Sequence, residues 1–190
     1  MGKGRLEAFS DGVIAIIITI MVLDLKTPHG VSLEAMREVW PTLLLYGFSF
    51  IYVGIYWSNH HHMLHACRMV TGGVLWANLN LLFWLSLIPF TTRWMGESGV
   101  ATWPVAVYGL SLVMPSVAYY ALSRLLIGAN PDSVLARAVG WDVKGIVSTS
   151  LYIAGIALTF WQPWAGIACY VLVALIWLVP DTRIERRLEP

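Results

Sequence analysis

Six apolar runs constrain this chain more than any other feature, at about Phe9 to Leu25, Pro41 to Trp57, Val74 to Phe90, Val105 to Leu126, Val143 to Phe160 and Trp164 to Val179. A membrane-spanning helix needs roughly 20 mostly apolar residues, so six of them consume most of the 190 residues and leave only short connections. The expectation is an all-α membrane protein with six transmembrane helices, one domain over residues 1–190, and no separate soluble domain. Composition agrees, with 58% hydrophobic and 12% charged residues where soluble domains carry about 25% charge.

The breaks between runs are chemically sensible. Thr27, Pro28, His29 and Gly30 end the first, Gly96 and Pro104 bracket the third break, Asn130, Pro131 and Asp132 mark the fourth, and Gln162 and Pro163 make the tightest turn. Trp40, Trp57, Trp76, Trp94, Trp103, Trp141, Trp161 and Trp164 sit near run ends, where an amphipathic ring straddles the headgroup boundary. With six crossings both termini share one side. That side holds Lys3, Arg5, Arg68, Arg124, Arg137, Lys144, Arg183, Arg186 and Arg187, against Lys26, Arg37 and Arg93 on the other. The positive-inside rule places the basic side, with both termini, in the cytoplasm of a cell-membrane protein.

Charge distribution and motif spacing exclude or disfavour several functions. The net charge of +1 comes from scattered basic residues, not the stripe a nucleic-acid binder needs. Cys67 and Cys169 form neither a disulfide framework nor a CxxC site and read as apolar filler. The first run carries Ser10 and Asp11 and lacks a small-residue cleavage pattern, so it is expected to stay as a helix and not to be removed as a signal peptide. No nucleophile, base and orienting group stand out together, so the protein is not expected to be an enzyme.

In the first run, about 100° per residue puts Phe9, Gly12, Ile16, Ile20, Leu23 and Thr27 on one stripe, with Thr19 at its flank and Asp11 roughly opposite. The helix is apolar all round, so periodicity does not choose a functional face. Asp11 is more informative, because a carboxylate near hydrocarbon costs at least ~2.5 kcal/mol and calls for a partner. Candidates on its side are Arg5 of another segment, His60, His61, His62, Lys144 and the amide of Asn78.

Arg5, Phe9, Ser10 and Asp11, spaced R-x-x-x-F-S-D at the opening of the first span, resemble the signature of the endolysosomal potassium channel family, transmembrane protein 175, in its prokaryotic form. Ser49-Phe50 with Tyr56-Trp57 and His60-His61 is similar to that family's S-F…W-x-x-H-H pattern. Asn80-Leu81-Leu82, Ser86, Pro89-Phe90-Thr91 and the closing Trp177-x-x-Pro180-Asp181 extend the resemblance over nearly the whole chain. It implies a homotetramer whose first helices surround a central pore that passes potassium without a carbonyl filter. By offset from F-S-D, the constriction falls on Ile16, with Ile20 and Leu23 as further rings and Thr19 as a flanking hydroxyl. No TVGYG occurs; Thr71-Gly72-Gly73-Val74 lacks its order. The expected mechanism is dewetting of an apolar ring that reopens when the helices move apart. Arg5 and Asp11 would act as structural locks, not ion ligands. The expected partners are further copies of the chain, membrane lipid and permeating monovalent cations, with potassium as the permeant ion and no cofactor.

His60, His61, His62 and His65 raise a rival reading, since His61 and His65 lie four apart as paired imidazole ligands do. A metal or haem membrane protein is one alternative. A proton-coupled transporter using Asp11 and the histidines is another, without the inverted repeats or broken helices such carriers show.

Overall fold

The computed structural model describes residues 2–138 and 142–178. Trp141, Val179, the Pro180-Asp181 end of the last motif, the tail with Arg183, Arg186 and Arg187, and the side chain of Arg137 lie outside that description. Eight helices make up the described chain: α1 (Lys3–Leu23), α2 (Leu33–His65), α3 (Gly72–Ser86), α4 (Ile88–Glu97), α5 (Thr102–Ala129), α6 (Val134–Ala138), α7 (Val143–Thr159) and α8 (Pro163–Leu178). No strand occurs among the described residues.

Each apolar run became a helix, with two kinds of adjustment. The runs underestimate length where polar ends continue the helix: α2 is 33 residues long and α5 is 28. Ser32 starts α2 by accepting from the Ala35 N–H at 3.3 Å, and Thr71 starts α3 by accepting from the Val74 N–H at 3.4 Å. The third run is divided at Leu87 into α3 and α4, because Pro89 in the first turn of α4 has no N–H to continue the ladder. The two pieces still form one rod, Gly72–Glu97, through hydrogen bonds such as Thr91 N–H to Leu87 O at 3.1 Å. The turn after that rod falls between Gly96 and Pro104, as expected, though neither residue is part of it. Both are helical, and the chain reverses at Gly99 (φ 63°) and Val100 (φ 65°).

Four rods are long and apolar enough to cross a membrane: Lys3–Leu23, Leu33–His65, Gly72–Glu97 and Thr102–Ala129. Helices α7 and α8 are apolar but shorter, 17 and 16 described residues, or about 24 to 26 Å of axis. They pack on each other at backbone distance. A methyl group on Gly166 would lie 2.8 Å from the Gly155 carbonyl oxygen and against the Thr159 hydroxyl. Small residues at such a seam let dispersion do what the hydrophobic effect cannot do between helices in lipid.

Two cores hold the bundle. One joins α1, α2, α3 and α5 through residues such as Leu6, Ile14, Ile17, Val53, Leu81 and Leu122; the other joins α2, α4, α5, α7 and α8 through Tyr52, Met95, Tyr108, Tyr152 and Tyr170. Polar contacts mark the two ends. At one, Lys3 Nζ donates to His65 O at 3.3 Å, and Asn130 holds the α2–α3 turn by accepting from the Arg68 and Met69 N–H groups at 3.0 and 2.7 Å. At the other, Arg93 meets Asp24 at 3.1 Å and Lys26 meets Glu97 at 2.9 Å. Lys3 and Arg68 thus sit at the end opposite Lys26 and Arg93, as the basic-residue grouping requires. Cys67 and Cys169 are both free, and burial pushes the Cys67 thiol up, partly offset by its hydrogen bond to Ser133.

Candidate functional site

Helix α1 presents two faces of nearly equal greasiness and opposite fate. Leu6, Ser10, Ile14, Ile17 and Met21 recur every three or four residues and are buried against the rest of the chain. Phe9, Ile16, Ile20 and Leu23 are 48%, 58%, 44% and 81% exposed. The expected stripe is therefore the face that the chain's own helices leave uncovered. Ile16 and Ile20 also border an open apolar groove of about 460 Å³ shared with Ser86, Pro89, Phe90 and Arg93 of the α3–α4 rod.

What fixes the orientation of α1 is a buried polar chain. Ser10 Oγ donates to Leu6 O at 2.8 Å, satisfying a hydroxyl within its own helix. Asn78 Nδ2 on α3 donates to Ser10 Oγ at 2.9 Å, and His60 Nε2 on α2 lies 2.7 Å from Asn78 Oδ1. A carbonyl oxygen only accepts, so His60 carries its proton on Nε2 here. Ser10 and Asn78 are fully buried and His60 is nearly so, which makes each link one that cannot be lost to water.

Asp11 finds a different partner from those expected. It is exposed, and it accepts from Trp57 Nε1 of α2 at 2.9 Å. His60 and Asn78 do join the motif, but through Ser10 and not through the carboxylate. His61 reaches no motif residue directly; its ring stacks between Trp57 (6.2 Å, 29°) and His65 (6.0 Å, 17°). Arg5 is exposed at the start of the same helix. Trp57 as the carboxylate's donor was missed because a tryptophan near a run end reads as an interfacial anchor. Its place two residues before Asn59 and three before His60 was the available signal. Among the described residues, no three His, Cys, Asp or Glu side chains gather as metal ligands.

Thr19 is exposed beside Ile16 and donates its hydroxyl proton to Ile16 O at 2.9 Å. With the proton committed to the backbone, the hydroxyl oxygen can only accept from outside the helix, which suits a cation.

Comparison with known proteins converges on one family. The model of the family described as endosomal/lysosomal potassium channel TMEM175 matches residues 5–89. A Chryseobacterium protein named a potassium channel is 53% identical over 190 residues, covering 100% of this chain and 99% of the relative. A Streptomyces collinus protein, likewise named a potassium channel, is 35% identical over 187 residues, with 91% and 90% covered. The fold matches the crystal structure of a lysosomal potassium-selective channel TMEM175 homolog from Chamaesiphon minutus, with a TM-score of 0.82 at 24% identity over 93% of this chain and 96% of that one.

Proposed function

The chain belongs to the TMEM175 potassium channel family as a prokaryotic member, and from that membership we propose that it is a potassium-permeable channel built from four copies. The single domain crosses the cell membrane six times, by α1, α2, the α3–α4 rod, α5, α7 and α8, with both termini cytoplasmic. Helix α1 of each copy faces the central axis and no cofactor takes part. The observation that carries this reading is the uncovered apolar face of α1, on a helix whose opposite face is held by the Ser10–Asn78–His60 chain.

On this reading Ile16, Ile20 and Leu23 form successive rings. An ion entering an apolar ring must shed water with no oxygen to replace it, so a narrow ring dewets and closes, and a small outward movement of four helices rewets it. Thr19 places an accepting oxygen beside the narrowest ring, where a partly dehydrated cation gains most from it. Selectivity then rests on the cost of dehydration and is modest compared with that of a carbonyl filter. Asp11 with Trp57, and Arg5 at the helix start, hold α1 in place and do not bind the ion.

The test is to record purified protein in planar bilayers under a potassium/sodium gradient. Unitary current steps with a reversal potential displaced toward potassium are expected. Saturable flux without unitary steps would replace this reading with the transporter.

A further inference from the structure

With no residue of α1 in its lining, a cavity of about 280 Å³ opens between α2, α5 and α7, close to the start of α7 and the end of α8. Helices α2 and α7 meet at its floor, where the Tyr52 and Tyr152 rings lie 6.2 Å apart; Tyr56 and Tyr119 meet edge-on at 6.3 Å along its side. On its wall Thr149 Oγ1 donates to Gly145 O at 2.9 Å and accepts from Ser116 Oγ at 3.0 Å, so these two hydroxyls make few further demands.

The mouth is different. Asp142 is the charged residue among those lining the cavity. Its Oδ1 accepts from the Gly145 N–H at 2.9 Å as the N-cap of α7. A methyl group on Gly145 would lie 2.8 Å from the Asp142 carboxyl carbon, so a glycine there lets the carboxylate lie flat against the backbone. Trp177 closes the other side of the mouth, and Lys144 Nζ stands 4.5 Å from the centre of its ring. A carboxylate therefore stands at the mouth, with an ammonium two residues on, over the Trp177 ring, and a largely aromatic interior behind.

We propose that this cavity binds a phospholipid with an ammonium-bearing headgroup, its ammonium on Asp142, its phosphate toward Lys144 and one acyl chain among the tyrosine rings. The charge pattern is complementary to a zwitterionic headgroup at both positions. A glycerol headgroup would bring its phosphate to the same mouth but would offer Asp142 no cation to pair with. The aromatic walls add cation–π attraction near the mouth and dispersion deeper in. Val117 and Ile146 on the rim are exposed, leaving the second acyl chain a way out to the bilayer. Its location between Trp177 and the first turn of α7 matches the headgroup level at which tryptophan settles.

Native mass spectrometry of the full-length protein in maltoside micelles tests this, titrating phosphatidylethanolamine against phosphatidylglycerol with the same chains. The expected result is one phosphatidylethanolamine per subunit, bound about tenfold tighter than phosphatidylglycerol, the size of one charge-assisted contact. Asn caps helices as well as Asp does, so Asp142→Asn should fold normally and lose the preference while still binding phosphatidylglycerol. Ile146→Trp, which crowds the rim, should weaken both lipids. Equal affinities in the unaltered protein, a preference that survives in Asp142→Asn, or undiminished binding in Ile146→Trp would overturn the proposal. Binding is read here without ion flux, so the outcome stands apart from that of the conduction experiment.

Discussion

His60 on α2 donates from Nε2 to Oδ1 of Asn78 on α3 at 2.7 Å, and the other end of the same amide donates to Ser10 on α1. One asparagine thus joins three helices, and its two ends serve different donors and acceptors. Replacement by leucine keeps the volume but strands a buried imidazole N–H and removes the donor to Ser10.

Asn78→Leu is expected to lower stability by about 1–3 kcal/mol, the cost of leaving a buried donor unmade, an effect at the upper end of those measured for hydrogen bonds between membrane helices. Thermal unfolding in detergent, followed by loss of the assembled oligomer, measures it. A Tm unchanged from the parent would mean that the network does not hold α1.

The Asp11–Trp57 bond lies on the exposed side of α1, where a second copy can approach. Asp11→Ala is expected to reduce the yield of assembled oligomer on size exclusion, with Trp57→Phe producing the same defect more weakly because its ring still packs beside His61. A fully assembled, normally conducting Asp11→Ala protein sinks the lock.

Ile16→Asn puts amide oxygens at the proposed narrowest ring. It should raise unitary conductance several-fold or reduce the potassium preference, because a wetted ring no longer charges the full dehydration cost. Ile14→Ala, on the buried face two residues away, should act on stability and leave the reversal potential alone. The reverse pattern, with Ile14 altering permeation and Ile16 silent, would put the pore on the other face.

At the α7–α8 seam, Gly166→Ala is expected to cost about 1–3 kcal/mol, because the new methyl meets the Gly155 backbone oxygen, which cannot step aside as a side chain can. Gly47→Ala on α2 is the control, since a methyl there meets nothing within 4 Å. Thermal unfolding of the two variants side by side should separate them clearly.

Much of this architecture was legible in the amino-acid order. Length and apolarity specify helices wherever the backbone must satisfy its own hydrogen bonds, and all six runs did become helices. Pro89 carried the division of the third run in plain view, because a missing N–H interrupts the ladder in any surroundings. The grouping of Arg5, Phe9, Ser10 and Asp11 pointed to the family. None of this required knowing what touches what.

Which face of α1 is buried was not readable. Ile14 and Ile17 turn inward while Ile16 and Ile20 remain uncovered, and five isoleucines within seven residues carry no signal that could sort them. In water, burial would select the apolar face; next to lipid both faces are equally apolar, so hydropathy falls silent. The choice passes to the few polar groups whose hydrogen bonds must be made inside the protein. Ser10 has Asn78 and His60 across from it, and Asp11 has Trp57, only because α2 and α3 pack at that height. The chain by itself determined that there would be membrane helices and where they break. The tertiary structure decided how the first of them is turned, because that depends on distances between residues far apart in the sequence.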